Sequence, residues 1–264
     1  MNELSIFNSL ILTLCLLISG YFAGLVGMPL GPIRVFFLLI FGIDALVVFG
    51  TNLAISFIMM IVTVWNNFRN QRIDFQMGFL FIISGAVVGP FLGGLSSEAF
   101  SQDILLLIVT ILIFISGALI LQAVHFPSKK KVLNKTSIKK NIIASILNLF
   151  IGVLGGAVGM VLGALRYPVM INYLKTDAKS ASATNSFINL IVAIFAFLGH
   201  LITSGFSGNS HFNPLLFLPL AIAGFIGSYF GSKHVGRYSN RFILKTLYVL
   251  LFIMGTLMLF RGIL

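Results

Sequence analysis

Charged residues fall in clusters along the chain, and between them lie uncharged runs at 4–33, 45–68, 75–97, 104–128, 141–165 and 180–232. Each is long enough as helix to cross about 30 Å of hydrocarbon, which takes roughly 20 residues. The longest run is interrupted from Thr203 to Pro214 by a stretch rich in Gly, Ser and Asn, so it predicts two spans. A last apolar segment covers Phe242 to Phe260, and two short stretches, Ile33 to Ile43 and Ala164 to Leu174, complete the set. The short ones have 11 residues each, which makes about 16 Å of helix, half the hydrocarbon thickness. The pattern predicts an all-α, polytopic membrane protein.

Composition agrees. Of 264 residues, 58% are hydrophobic and 9% charged, and the mean hydropathy is +1.08. A soluble fold has no interior large enough for so much apolar surface, so lipid must be the solvent. The single cysteine, Cys15, excludes an intramolecular disulfide, no Cys/His cluster suggests a metal, and no residue pattern calls for a cofactor. The N-terminus lacks the basic region of a signal peptide, so its apolar run is read as a first membrane helix. The net charge of +11 raises nucleic acid as a partner, but the placement of the cations argues against it. If the Lys-rich loop from Lys129 to Lys140 is cytoplasmic and the short loops alternate outward from it, 14 of the 17 basic residues fall inside. Glu3, Asp44, Glu98 and Asp103 then lie outside, with both termini. This is the positive-inside signature of a protein of the cytoplasmic membrane.

An internal repeat carries the most information. Gly20, Gly24, Gly27, Met28, Leu30, Gly31 and Arg34 recur as Gly152, Gly156, Gly159, Met160, Leu162, Gly163 and Arg166, all at an offset of 132. Thr51-Asn52 recurs as Thr184-Asn185, Gly89 and Gly93 as Gly227 and Gly231, and Gly117 as Gly255. The chain therefore divides into a first membrane repeat (1–126), a basic cytoplasmic linker (127–141) and a second repeat (142–264). Each repeat has about five membrane segments: a long helix, a Gly-rich break, a short helix and three further spans. The helix pair around the break returns the chain to its starting side, so three spans set the parity, and an odd number inverts the second copy. Inverted repeats are a recurrent plan of secondary transporters, because two pseudo-equivalent halves can exchange conformations and open one site to either side.

The breaks hold the candidate site. Gly27, Gly31, Gly159 and Gly163 let the backbone turn and bring two helix N-termini inward near the midplane, where free N–H groups favour an anion. Arg34 and Arg166 stand in the first turn of the short helices, against both the helix dipole and an insertion cost of about 2.5–3.5 kcal/mol. A cation placed against both penalties points to an anionic substrate; the competing role is an anchor that ties down backbone carbonyls. Thr51, Asn52, Thr184 and Asn185 begin the next helix of each half, where two roles fit equally: lining the site, or capping and interhelical hydrogen bonding. Asp44 and Asp177 read as connector caps, and the Gly85/Gly89/Gly93 and Gly224/Gly227/Gly231 series as close helix packing. His200, alone in a predicted span, reads as a packing or hydrogen-bonding residue, because one isolated histidine makes no proton relay.

At these residues the chain resembles the sulfite exporter TauE/SafE family. The family pattern in each half is similar to Gly-x-Gly-Gly-Gly followed by Pro, with a Thr-Ser-Leu-like element downstream. Gly159, Gly163 and Pro168 keep the outer glycines and the proline; the first half keeps Gly27 and Gly31 but has Phe36 at the proline position. Pro29, Leu30, Val161 and Leu162 replace the middle glycines, and Asn52 and Asn185 stand where serine is usual. The resemblance implies transport of sulfite or an organosulfur anion. No nucleotide-binding loop is present, so such transport runs on the substrate's own gradient or on a coupling ion, H⁺ or Na⁺. An anion channel is the alternative, and a membrane-embedded enzyme is disfavoured because no constellation of nucleophile, acid and base is found.

Overall fold

The computed structural model describes residues 6–125, 138–174, 176 and 178–234, and thirteen positions between 237 and 259. Within them the chain is helical almost throughout. Helix α1 (Ile6–Val26) leads through a four-residue break to α2 (Gly31–Ile40), followed by α3 (Ala45–Arg69). The next span is α4 (Phe75–Phe81), a π-helical turn (Ile82–Ala86) and α5 (Val88–Leu95), and α6 (Gln102–His125) closes the first half. The second half repeats the order: α7 (Ile138–Ala157), a break, α8 (Gly163–Pro168) continued by a π-helical turn (Val169–Tyr173), α9 (Ala178–Ser207) and α10 (Pro214–Lys233). Described positions from 241 to 259 are again helical; Gly255 and Phe252 lie against Phe114 of α6. Asp177 and the linker from 126 to 137 lie outside the described residues.

Among the described residues four helical stretches are long and apolar enough to cross a membrane: Ala45–Arg69, Phe75–Leu95, Ser180–Ser207 and Pro214–Lys233. Their outer faces are apolar, as at Ile83, Phe206 and Leu215, whereas the polar side chains Asn52, Ser56, Asn185 and Asn189 are fully buried. That inversion of the soluble pattern is what hydrocarbon on the outside demands.

Packing crosses between the halves. Gly20 and Gly24 of α1 lie against Gly224 and Ser228 of α10, and Gly152 and Gly156 of α7 lie against Pro90 and Gly94 of α5. Residue numbers rise together along both pairs, so each pair is parallel, and small residues bring the backbones within van der Waals contact. Helices α3 and α10 also run parallel, from Gly50 beside His211 to Asn66 bonded to Ser232. Helix α9 follows α4 and α5 in the same way, from Thr184 beside Asp74 to Thr203 beside Leu95. Since α4 folds back from α3, α9 and α3 are antiparallel. Arg69, Arg72 and Lys233 consequently gather at one end of the bundle, and Glu98 and His211 at the other.

Two details depart from the sequence pattern. The second short helix is no uniform α-helix: at Pro168, which brings no N–H, it loosens into the π-helical turn. The third span packs Gly85 against the Leu149 backbone and is also kinked there, where φ is 155°.

Candidate functional site

Each break begins with a left-handed glycine, Gly27 at φ 71° and Gly159 at φ 60°, a conformation that side chains other than glycine adopt at a cost of about 1–2 kcal/mol. Neither position has room for a Cβ. At Gly27 it would strike Ser182 of α9, and at Gly159 it would strike Phe49 of α3, so each break starts pressed against the long third helix of the other half. Four residues later each has moved to its own half. Gly31 lies 3.3 Å, measured from an ideal Cβ, from Asn52, and Gly163 lies against the Asn189 amide. The two breaks thus pass one another inside the bundle, and Met160 of the second sits 3.7 Å from the ideal Cβ of Gly31 in the first.

Arg34 and Arg166, 1% and 0% exposed, are the largest side chains wholly enclosed by the protein. Arg34 reaches its own half's α3: Nε donates to Asn52 Oδ1 at 2.7 Å, Nη2 to Ser56 Oγ, and Nη1 faces Met59 Sδ at 3.1 Å. Asn52 uses its amide in turn, Nδ2 donating to the Gly159 carbonyl at 2.7 Å, which ties the first arginine to the second break. Arg166 is held by asparagines. Its Nε donates to Asn148 Oδ1 (2.7 Å), and its Nη1 to Asn189 Oδ1 (2.7 Å) and, at 3.4 Å, to Asn185 Oδ1. Asn185 Nδ2 donates to the Gly163 carbonyl at 3.0 Å, and Asn148 Nδ2 to the Phe81 carbonyl at 2.7 Å, a group at the edge of the π-helical turn.

The halves differ in how completely the donors are used. All three nitrogens of Arg34 have partners, whereas Arg166 Nη2 and Asn189 Nδ2, both buried, have no acceptor among the described residues. Neither guanidinium faces a carboxylate: among the described residues the single ion pair is His211 with Glu98. Two buried cations are therefore balanced only by neutral dipoles, an arrangement that costs several kcal/mol unless a negative charge joins them.

Of the ten residues singled out from the sequence, the glycines, arginines and asparagines converge on the two breaks. Thr51 and Thr184 stand apart in what they do: their hydroxyls accept the backbone N–H of Asn213 (3.2 Å) and of Asp74 (2.9 Å), the N-cap residues of α10 and α4. Asp44 caps α3, accepting from Leu46 and Val47. Ser56, Asn148 and Asn189 belong to the arginine clusters and were not singled out. Ser56 and Asn189 share one repeat register at an offset of 133, and Asn148 is the one amide inside the apolar run that Asn141 begins; both signals were present in the sequence. The reading of His200 as isolated is corrected: His211, from the loop before α10, packs on it with Nδ1 atoms 3.0 Å apart, and Glu98 follows His211 at 2.7 Å.

The family model described as "Sulfite exporter TauE/SafE" matches residues 12–258. A Bacillus subtilis (strain 168) protein described as "Probable membrane transporter protein YdhB" is 22% identical over 253 residues, 95% of this chain and 100% of that one. No solved structure matches the chain.

Proposed function

The chain belongs to the sulfite exporter TauE/SafE family, and from that premise we propose that it is a secondary transporter carrying a small anion, sulfite or an organosulfur anion, across the cytoplasmic membrane by alternating access. The observation that carries this reading is the pair of buried arginines with no carboxylate partner among the described residues, one of which leaves Nη2, like the neighbouring Asn189 Nδ2, without an acceptor among them. Two unused donors on side chains joined by a hydrogen bond, in a low-dielectric site, suit an oxyanion, to which charge-assisted hydrogen bonds contribute about 1.5–3 kcal/mol each. General transporter function accords with the family and with the description of the Bacillus relative.

Alternating access draws support from the antiparallel run of α3 and α9 and from the mirrored course of the breaks. Under an inverted repeat, Ser56 and Asn189 are equivalent, as are Arg34 and Arg166. The first half is then in the conformation with every donor satisfied, and the second in the one with donors free. Exchange of the two conformations would give Arg166 Nη2 an acceptor and release Arg34 from Ser56, handing the anion to the other side of the breaks. Both termini lie outside in this scheme, and the basic end carrying Arg69, Arg72 and Lys233 faces the cytoplasm.

The test is flux of sulfite, sulfoacetate-like anions and small carboxylates in proteoliposomes. A saturable, counterflow-competent flux of a sulfur oxyanion is expected. Flux that does not saturate, with single-channel currents, would replace the transporter by a channel, and saturable flux of carboxylates alone would overturn the substrate class.

A further inference from the structure

Three side chains outside the arginine clusters form a line from the end of the bundle into its interior. Glu98 stands in the short turn after α5, and His211 and His200 are both fully buried. Glu98 Oε1 lies 2.7 Å from His211 Nε2, His211 Nδ1 lies 3.0 Å from His200 Nδ1, and His200 Nε2 lies 2.8 Å from the Gly156 carbonyl of α7. The last of these fixes the others. A carbonyl only accepts, so His200 Nε2 carries a hydrogen and, in the neutral ring, Nδ1 is a lone-pair acceptor. His211 must then donate from Nδ1, which leaves its own Nε2 bare and facing a carboxylate, two acceptors at 2.7 Å. The three hydrogen bonds close only with three protons, whereas two neutral imidazoles and a carboxylate bring two. The geometry therefore counts one extra proton.

Partial burial works to raise the Glu98 carboxyl, but hydrogen bonds from Ser207, His211 and Asn209 outweigh it and hold the carboxyl below the usual range, so Glu98 is the anionic end of the line. No other charge intervenes among the described residues. Helix α9 has no second ionisable group between 180 and 207, Phe75–Leu95 has none, and α7 offers only the Gly156 carbonyl, its lysines lying in its first turn. On α3, Gly50 meets the His211 backbone, while Asp44 caps the helix and Arg69 lies at the far end; Asp103 in the first turn of α6 is exposed.

We propose that Glu98, His211 and His200 form a one-proton binding site, open toward the end of the bundle at Glu98, whose proton is the one coupled to anion movement. The coupling part rests on the transporter reading above; the proton site does not. Its three neighbours give it purchase on the breaks. Gly156 lies three residues before Gly159, the His211 backbone rests on Gly50, and the same loop ends on Thr51, next to the Asn52 that binds Arg34. Loss of the proton sets two lone pairs facing each other, either between the imidazoles or between His211 and Glu98, and one of these hydrogen bonds opens. Raising the pH through the titration thus releases the loop from 208 to 213, and lowering it latches the loop down.

Glu98→Gln separates this from a structural role. A glutamine amide donates to His211 Nε2, so all three hydrogen bonds close with neutral histidines and the latch holds without the extra proton. In protein labelled with ¹⁵N-histidine in lipid nanodiscs, with signals assigned through His200→Gln and His211→Gln, we expect one doubly protonated imidazole that loses a single proton as pH rises between about 5 and 8. Glu98→Gln should fold and show both rings neutral throughout. Two neutral rings at every pH in the wild type, or the same titration in Glu98→Gln, overturns the proton site. In proteoliposomes, wild-type sulfite flux should change by up to about tenfold per pH unit across the titration, as one-proton linkage allows, and Glu98→Gln flux by less than twofold over the same range. Wild-type flux with unaltered pH dependence in Glu98→Gln overturns the coupling; a wild type that moves none of the anions overturns the transporter reading and leaves the spectroscopic result to decide the proton site.

Discussion

At the scale of the residue, the two arginines are equivalent in the repeat but not in their surroundings. Arg34 is bound by a hydroxyl, an amide and a thioether; Arg166 keeps one nitrogen without an acceptor among the described residues. Arg166→Gln should therefore weaken sulfite binding to the state described here by at least tenfold, measured as Kd on monodisperse protein, while Arg34→Gln weakens it less in that state and chiefly lowers flux. Equal, small losses in both variants, with lowered thermal stability, would make the arginines anchors rather than ligands. Arg→Lys at either position keeps the charge but not the planar fork, so only partial rescue is expected. Asn148 takes part from one half alone, because its repeat equivalent is Leu16. Asn148→Leu leaves Arg166 Nε unpaired, at about 1–3 kcal/mol, and leaves the Phe81 carbonyl with the Ser84 hydroxyl but without the amide donor, and should lower the unfolding temperature of the protein in detergent more than Leu16→Asn does.

At the scale of the element, each break turns on a left-handed glycine that redirects the chain from a long helix into a short one. Gly159→Ala combines a left-handed alanine, which costs about 1–2 kcal/mol, with a collision against Phe49. It should lose more stability than Gly31→Ala, where the nearest atoms leave 3.3 Å; thermal unfolding of the purified variants checks the order. The long elements and both breaks were legible in the sequence, since charge-free length and repeated Gly and Arg positions follow directly from what lipid tolerates. The π-helical turns were not. Gly85 packs on the Leu149 backbone as its series suggests, but the kink it also makes is not written in that spacing, and the Asn148 amide bonds to the Phe81 carbonyl there. His211 was hidden for a similar reason: it lies 11 residues from His200 in a polar loop, and nothing in the spacing shows that the loop folds back over α9.

At the scale of the whole molecule, the basic and acidic ends proposed for the two sides of the membrane can be told apart by chemistry. Gly205 is exposed with nothing within 4 Å of an added Cβ, and Asn70 is exposed at the opposite end. In a background without Cys15, Gly205→Cys should react with an impermeant maleimide added to intact cells, and Asn70→Cys only after permeabilisation. The reverse labelling would invert the orientation and place Glu98, and the proton route through it, on the cytoplasmic side. Aromatic anchors at the basic end agree with an interface there: the Arg69 guanidinium lies 5.5 Å from the Trp65 ring and the Lys233 ammonium 4.1 Å from the Tyr229 ring.

The parallel pairing of α1 with α10, and of α7 with α5, also bears on how the molecule is made. Helix α1 leaves the ribosome first, yet the surface that covers Gly20 and Gly24 belongs to residues 224–232. At about 5–20 residues per second, the first helix waits on the order of 10–40 s in the bilayer before its partner is synthesised. Helix α5, by contrast, meets α7 after only some tens of residues more. The α5–α7 contact can therefore form before the α1–α10 contact, and a nascent chain stalled before residue 214 would hold the Gly20 and Gly24 face of α1 open to any other helix in the membrane.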